Sequence, residues 1–181
     1  MDKINLNNIE DILRKICKHY SLGKYVSYEI VIQGYEDFNC VVTTEEKPYF
    51  IKILNQRRTG EDCSNYIERM KKATEIDINY PKLYQVNGDI LYNLNYNNLN
   101  YKICVFDYID GSDYLTLGIN PTELELKEIA RQMANINKLD FRPSFVYDSW
   151  AIINFADEFN KKKIGLHPDD SKRFELLYKQ F

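Results

Sequence analysis

The stretch Tyr49-Phe50-Ile51-Lys52-Ile53-Leu54 decides how this chain is read. Aromatic, β-branched and aliphatic residues occupy every position except Lys52, the pattern of a strand covered on both faces. An ammonium placed in such a strand must reach water at a sheet edge or meet an anion, because an unpaired buried charge is very costly. The two outcomes have different meanings. A lysine on an exposed edge strand guards against unwanted pairing, whereas a lysine facing an anion marks a site.

Upstream of this strand, Tyr25 to Ile32 is rich in β-branched and aromatic residues. The segment Gln33-Gly34-Tyr35-Glu36-Asp37-Phe38-Asn39 reads as a loop, and Cys40-Val41-Val42 as the next strand. Thr44-Glu45-Glu46-Lys47-Pro48 is a polar turn into the lysine strand. Ahead of all these, Ile4 to Tyr20 carries Ile9, Ile12, Leu13 and Ile16 at helical spacing, with Gly23 beyond.

Downstream, Gly60 precedes a helix with a stripe of Cys63, Tyr66, Ile67, Met70 and Thr74, ending before Pro81. Short strands are predicted over Leu83 to Val86, Ile90 to Leu94 and Lys102 to Asp107. Asn87-Gly88 and the run Asn95 to Asn100 separate them, as asparagine tolerates the left-handed conformations of tight turns. Past Asp110-Gly111 the pattern is helical. Asn120-Pro121-Thr122-Glu123 resembles a capping box, followed by Leu126, Ile129, Ala130, Met133, Ala134 and Asn137 on one face. Further helices are expected near Ala151 to Lys162 and Asp169 to Gln180.

Composition excludes several classes. With 181 residues, 44% apolar and 28% charged, the chain has the makeup of an ordinary globular protein, neither disordered nor fibrous. Its 24 basic and 27 acidic residues leave a net charge of −3, which argues against a nucleic-acid partner. The run Lys161 to Lys163 reads as a solvated helix end. No apolar run approaches the roughly 20 residues that span a bilayer. Cys17, Cys40, Cys63 and Cys104 are scattered without metal-ligand spacing, so we expect reduced thiols in a cytoplasmic protein and no zinc.

The order strand, loop, strand, lysine strand, acid-bearing helix and further strands is that of kinase small lobes, which cover and grip the phosphates of ATP. The chain resembles the aminoglycoside phosphotransferase and choline kinase group of small-molecule kinases, with a flavour of hydroxylysine kinases. The resemblance rests on Gly34-Tyr35-Glu36-Asp37-Phe38-Asn39 and Tyr49-Phe50-Ile51-Lys52-Ile53. It continues through Pro81, Ile103-Cys104-Val105-Phe106, the hinge-like Asp107-Tyr108-Ile109-Asp110-Gly111, the helix Ile129 to Leu139 and Tyr147-Asp148-Ser149-Trp150. It extends over about residues 28–160.

The resemblance implies an α+β fold: a kinase-like small lobe over 1–110, with a five-stranded antiparallel sheet and one helix, then the hinge and first helices of an incomplete large lobe over 111–181. It implies transfer of the γ-phosphate of ATP or GTP, with Mg2+, to a hydroxyl of a small molecule such as an aminoglycoside, choline or hydroxylysine. Lys52 would bind the phosphates, and the loop around Gly34, Tyr35 and Asn39 would fold over them. Backbone groups of Asp107, Tyr108 and Ile109 would hold the base, with Ile32, Val42 and Ile51 as pocket walls. Glu68 is the first choice for the acidic partner of Lys52, and Glu61 or Asp62 the alternatives. Asn137, where the family often has histidine, reads as a polar helix end.

The family's His-Gly-Asp-x-x-x-x-Asn loop and its later Asp motif, which supply the catalytic carboxylate and the Mg2+ ligands, do not occur. His19 falls in the opening helix, and His167 of Leu166-His167-Pro168-Asp169-Asp170 in a loop before one. No catalytic residue is therefore expected in this chain, and the catalytic loop and Mg2+ ligands are expected beyond Phe181. The expected partners are a nucleotide and a small-molecule acceptor. The alternative is a kinase-like protein that binds without catalysis, the helices after Asn120 exposing an apolar face for a partner or a second copy.

Overall fold

The lysine strand lies in the middle of a sheet. A computed structural model describes residues 8–139 other than 33, 35, 36 and 57, together with 156, 159, 160 and 165–178. The sheet contains β1 (Tyr25–Val31), β2 (Phe38–Thr44), β3 (Pro48–Leu54), β4 (Tyr92–Tyr96) and β5 (Leu99–Asp107) in the order β1-β2-β3-β5-β4. All pairings are antiparallel. The fold is therefore α+β. Strand β3, carrying Lys52, pairs on both sides, so the edge-lysine reading is excluded.

Side chains alternate across β3, and its two faces meet different helices. Helix α1 (Ile9–His19) brings Ile12, Leu13 and Ile16, all with no exposed surface, against Cys40, Val42, Ile51, Ile53, Ile103 and Val105. Each such fully buried aliphatic side chain contributes about 1.5–3 kcal/mol. On the opposite face, α2 (Gly60–Thr74) sets Met70, with Tyr66 and Ile67, against Phe50, Cys104 and Phe106. Of the predicted stripe, Cys63, Tyr66, Ile67 and Met70 lie on the packing face, while Thr74 is exposed. Burial pushes the Cys40 and Cys104 thiols up to about 12, which keeps both protonated and unreactive at neutral pH.

The asparagines do turn the chain. Asn97 and Asn98, at φ of 50° and 62°, close the two-residue loop between Tyr96 and Leu99, which pair. Asn87 and Gly88 make a similar turn between Val86 and Asp89. The stretch Leu83 to Val86, predicted as a strand, forms just two isolated bridges, Leu83 to Phe106 and Val86 to Asp89. Strand β2 starts at Phe38, two residues before the predicted Cys40, and β4 is displaced toward its turn.

After β5, a four-residue helix α3 (Tyr114–Leu117) that periodicity missed is capped by Asp113 and stopped by Gly118 at φ 62°. Helix α4 (Glu123–Asn137) is capped by Thr122, whose box partner is Glu125; Pro121 precedes the cap, so the predicted box is shifted by two residues. Along α4, Leu126, Ile129, Met133 and Ile136 are exposed. The loop between α2 and β4 holds α4 through Arg131 to Asp77, and the Asn79 N–H donates to Gln132 Oε1 at 3.1 Å.

The chain divides into two compact units, Met1–Pro143 and Ser144–Phe181. In the second, α5 (Pro168–Tyr178) starts at a proline, with Asp169 and Asp170 in its first turn. His167 stands just ahead of it, exposed, its carbonyl accepting the Ser171 N–H at 2.9 Å. Tyr147 to Trp150 and most of the helix predicted from Ala151 lie outside the described residues.

Candidate functional site

Helix α2 covers part of its sheet face, and beside it a cleft of about 420 Å3 remains. Val31, Val41, Phe50 and Phe106 form its apolar floor, and Lys52 and Tyr66 stand at one end. The strand exit Asp107 to Ile109 borders the other, and Tyr80 and Pro81 also line the cleft. The volume falls within the range of small-molecule sites, about 300–1,000 Å3.

The apolar floor corrects an expectation. Val42 and Ile51 have no exposed surface and belong to the α1 core, while Ile32 is 85% exposed. The walls are instead Val31, Val41 and Phe50, each one position earlier. A one-residue offset reverses the face because strand side chains alternate with a period of two.

Register assembles the charged end. Lys52 lies opposite Asn39 on β2 and Cys104 on β5, so these three share the cleft face. Asn39 is buried, and its Nδ2 would lie 3.0 Å from a Cβ added at Gly34. Gly34 has a φ of 106°, which side-chain-bearing residues rarely adopt, so conformation and close approach both call for glycine there. Gly34, Asn39 and Lys52 thus belong to one corner. Tyr35 lies outside the described residues.

Lys52 is one-fifth exposed, and its Nζ lies 3.5 Å from Asp37 Oδ2. Asp37, with a side chain only 6% exposed, also accepts the Asn55 N–H at 3.0 Å and a bidentate pair of bonds from Arg58 Nε and Nη2 at 3.1 and 3.2 Å. The expected partner Glu68 is not at Lys52: it is exposed on α2, off the face that packs on the sheet. The alternatives fare no better. Glu61 is exposed, and the Asp62 carboxylate accepts the N–H and hydroxyl of Thr59, closing the α2 capping box and lowering its pKa.

Asp37 and Arg58 were not singled out in the sequence. A signal existed for Asp37, an acid in the same loop segment as Gly34 and Asn39. For Arg58, in the polar run after β3, there was none.

At the other end, the Asp107 N–H donates to the Lys82 carbonyl at 2.9 Å. Its carboxylate receives Lys47 Nζ at 2.6 Å and the Tyr84 hydroxyl at 2.7 Å. The Lys47 bond, then that of Tyr84, holds the Asp107 carboxyl below the usual range. Both the N–H and the side chain of Asp107 are thus engaged within the fold. Tyr108 and Ile109 follow, 36% and 65% exposed.

Burial raises the pKa of Tyr66, so its hydroxyl stays protonated beside the cleft. Among the described residues, no group of three or more His, Cys, Asp or Glu side chains is placed to hold a metal ion. No described helix is long and apolar enough to cross a membrane.

No family model matches the chain, and no curated protein matches it. Among solved structures, the chain is similar to the crystal structure of spectinomycin phosphotransferase, APH(9)-Ia, in complex with ADP and spectinomycin. The identity is 16% and the TM-score 0.45, with 94% of this chain aligned; it spans 58% of that protein's length.

Proposed function

We propose that the chain is the nucleotide-binding N-terminal part of a small-molecule phosphotransferase, taking ATP or GTP in the cleft between Lys52 and Asp107 to Ile109. The observation that carries this is a cation set into the end of an apolar cleft, on a central strand where no edge role accounts for it. An apolar floor suits a purine face, and the ammonium suits a phosphate. The sequence resemblance supports the same assignment.

In this proposal Phe50, Val41, Val31 and Phe106 exclude water around the base. Backbone groups of Asp107, Tyr108 and Ile109 orient it, while Lys52 and the turn at Gly34 and Asn39 hold the phosphates. The bound nucleotide supplies the phosphoryl group. We assign the carboxylate that orients the acceptor hydroxyl, and the Mg2+ ligands, to residues outside this chain, with 1–110 as the nucleotide lobe and 111–181 as the start of the acceptor lobe. The acceptor is a small polar molecule bearing a hydroxyl, in the class of aminoglycosides, choline or hydroxylysine.

Titration calorimetry of the 181-residue chain with ATP, ADP and GTP tests this. Binding that falls by roughly tenfold or more in Lys52→Ala is expected, since a hydrogen bond to a charged group contributes about 1.5–3 kcal/mol. No binding by the unaltered chain, or binding indifferent to Lys52→Ala, overturns it. The chain alone should show no phosphorylation above that of the Lys52→Ala control.

A second reading, a non-catalytic binding protein that pairs with another copy, draws on the exposed Leu126, Ile129, Met133 and Ile136 of α4. It predicts a concentration-dependent dimer in light scattering, and a monodisperse monomer removes it.

A further inference from the structure

The carboxylate that meets Lys52 comes from the residue just ahead of β2, not from the helix. We propose that Asp37 is the positioning residue for Lys52 at the phosphate end of the cleft, locked in place by Arg58; this rests on the nucleotide reading given above. Asp37 holds four donors: the Asn55 N–H, two nitrogens of Arg58 and, most distant at 3.5 Å, Lys52 Nζ. Arg58 is itself tethered. Its carbonyl accepts Lys102 Nζ at 2.9 Å, and its guanidinium lies 5.5 Å from the centre of the Tyr66 ring, which borders the cleft.

The unequal distances define the roles. Arg58 and Asn55 grip Asp37 closely, so the carboxylate stays in place when Lys52 turns toward a phosphate. Lys52, held at the outer limit of hydrogen-bond distance, is aimed without being captured. Among the described residues, two cations, Lys52 and Arg58, meet the carboxylate of Asp37. Asn39 and Cys104, the register neighbours of Lys52, are uncharged at neutral pH, so Asp37 is the acid that sets its direction. Glu68, exposed on α2, takes no part.

The test compares Asp37→Asn, Arg58→Lys and Glu68→Gln in the full chain, with ATP, ADP and adenosine as ligands. Asp37→Asn and Arg58→Lys should each weaken ATP and ADP roughly tenfold and leave adenosine affinity unchanged, since aim matters only to the phosphates. Glu68→Gln should change none of the three. Unchanged ATP affinity in Asp37→Asn, an equal loss for adenosine, or a loss that follows Glu68→Gln overturns the proposal.

The ε-ammonium NMR signal of Lys52, assigned by its loss in Lys52→Ala and recorded without ligand, provides an independent readout. It should shift in Asp37→Asn and Arg58→Lys but not in Glu68→Gln, and an unmoved signal overturns the proposal. Should Asp37→Asn fail to fold, Arg58→Lys carries both measurements. A chain that shows the shift yet binds no nucleotide refutes the nucleotide reading while leaving the Asp37 pairing supported.

Discussion

The two faces of the sheet differ in how completely they are covered. Under α1, Ile51 and its neighbours are sealed with no exposed surface, and the helix contributes aliphatic residues along its length. Under α2, one residue away in the chain, Phe50 and Lys52 are only partly covered, and a cleft remains beside the helix. The first face supplies stability, while the second gives up some burial and gains a place where a ligand can lie. The candidate site lies where α2 stops short of covering its sheet.

Substitutions on either side of that division should separate stability from binding. Ile51→Ala should have the largest effect, costing about 2–5 kcal/mol in urea unfolding while nucleotide affinity of the folded chain is kept. Phe50→Ala, half-buried on the cleft face, should cost less stability and more affinity. If both variants lose stability and binding in the same proportion, the division of labour between the faces is wrong.

Gly34→Ala comes next. At φ 106°, with Asn39 Nδ2 3.0 Å from the new Cβ, the strain is about 1–3 kcal/mol. The strain falls on the folded state, so Tm should drop by about 2–4 °C per kcal/mol, and ATP binding should weaken in calorimetry because the turn is displaced.

Thr59→Ala removes the α2 cap, which donates nothing to the cleft but stands beside Arg58. A loss of about 1 kcal/mol is expected, with faster amide exchange in the first turn of α2 and none in α1.

The smallest effect concerns pH. Because its bond to Lys47 lowers the Asp107 carboxyl in the folded chain, that group's contribution is complete above the unfolded value of about 3.9. It is lost as the pH falls through the lower folded value. Asp107→Asn should therefore be less stable than the unaltered chain at neutral pH and should flatten the acid limb of stability below about pH 4.

Much of the fold was legible in the residues themselves. The stripe on α1, the alternating and continuous apolar runs of the strands, and the asparagine turns all depend on local periodicity or backbone preference, which a single chain displays. The errors fall where a neighbour decides. Leu83 to Val86 has strand composition but makes only isolated bridges, and the walls Val42 and Ile51 were placed on the wrong face because nothing local states which face α1 will take. Glu68 lies off the Cys63, Tyr66, Ile67 and Met70 stripe, a phase already legible in the sequence, and is exposed.

What the sequence by itself determined is that an ammonium stands in an apolar strand and needs an anion, a consequence of solvation that holds whatever surrounds it. Tertiary structure decided which acid answers. Asp37 reaches Lys52 because the pairing of β2 with β3 sets Asn39 opposite Lys52, and the Asn55 N–H and Arg58, from the segment after β3, hold the carboxylate just ahead of β2, an arrangement that no single segment contains.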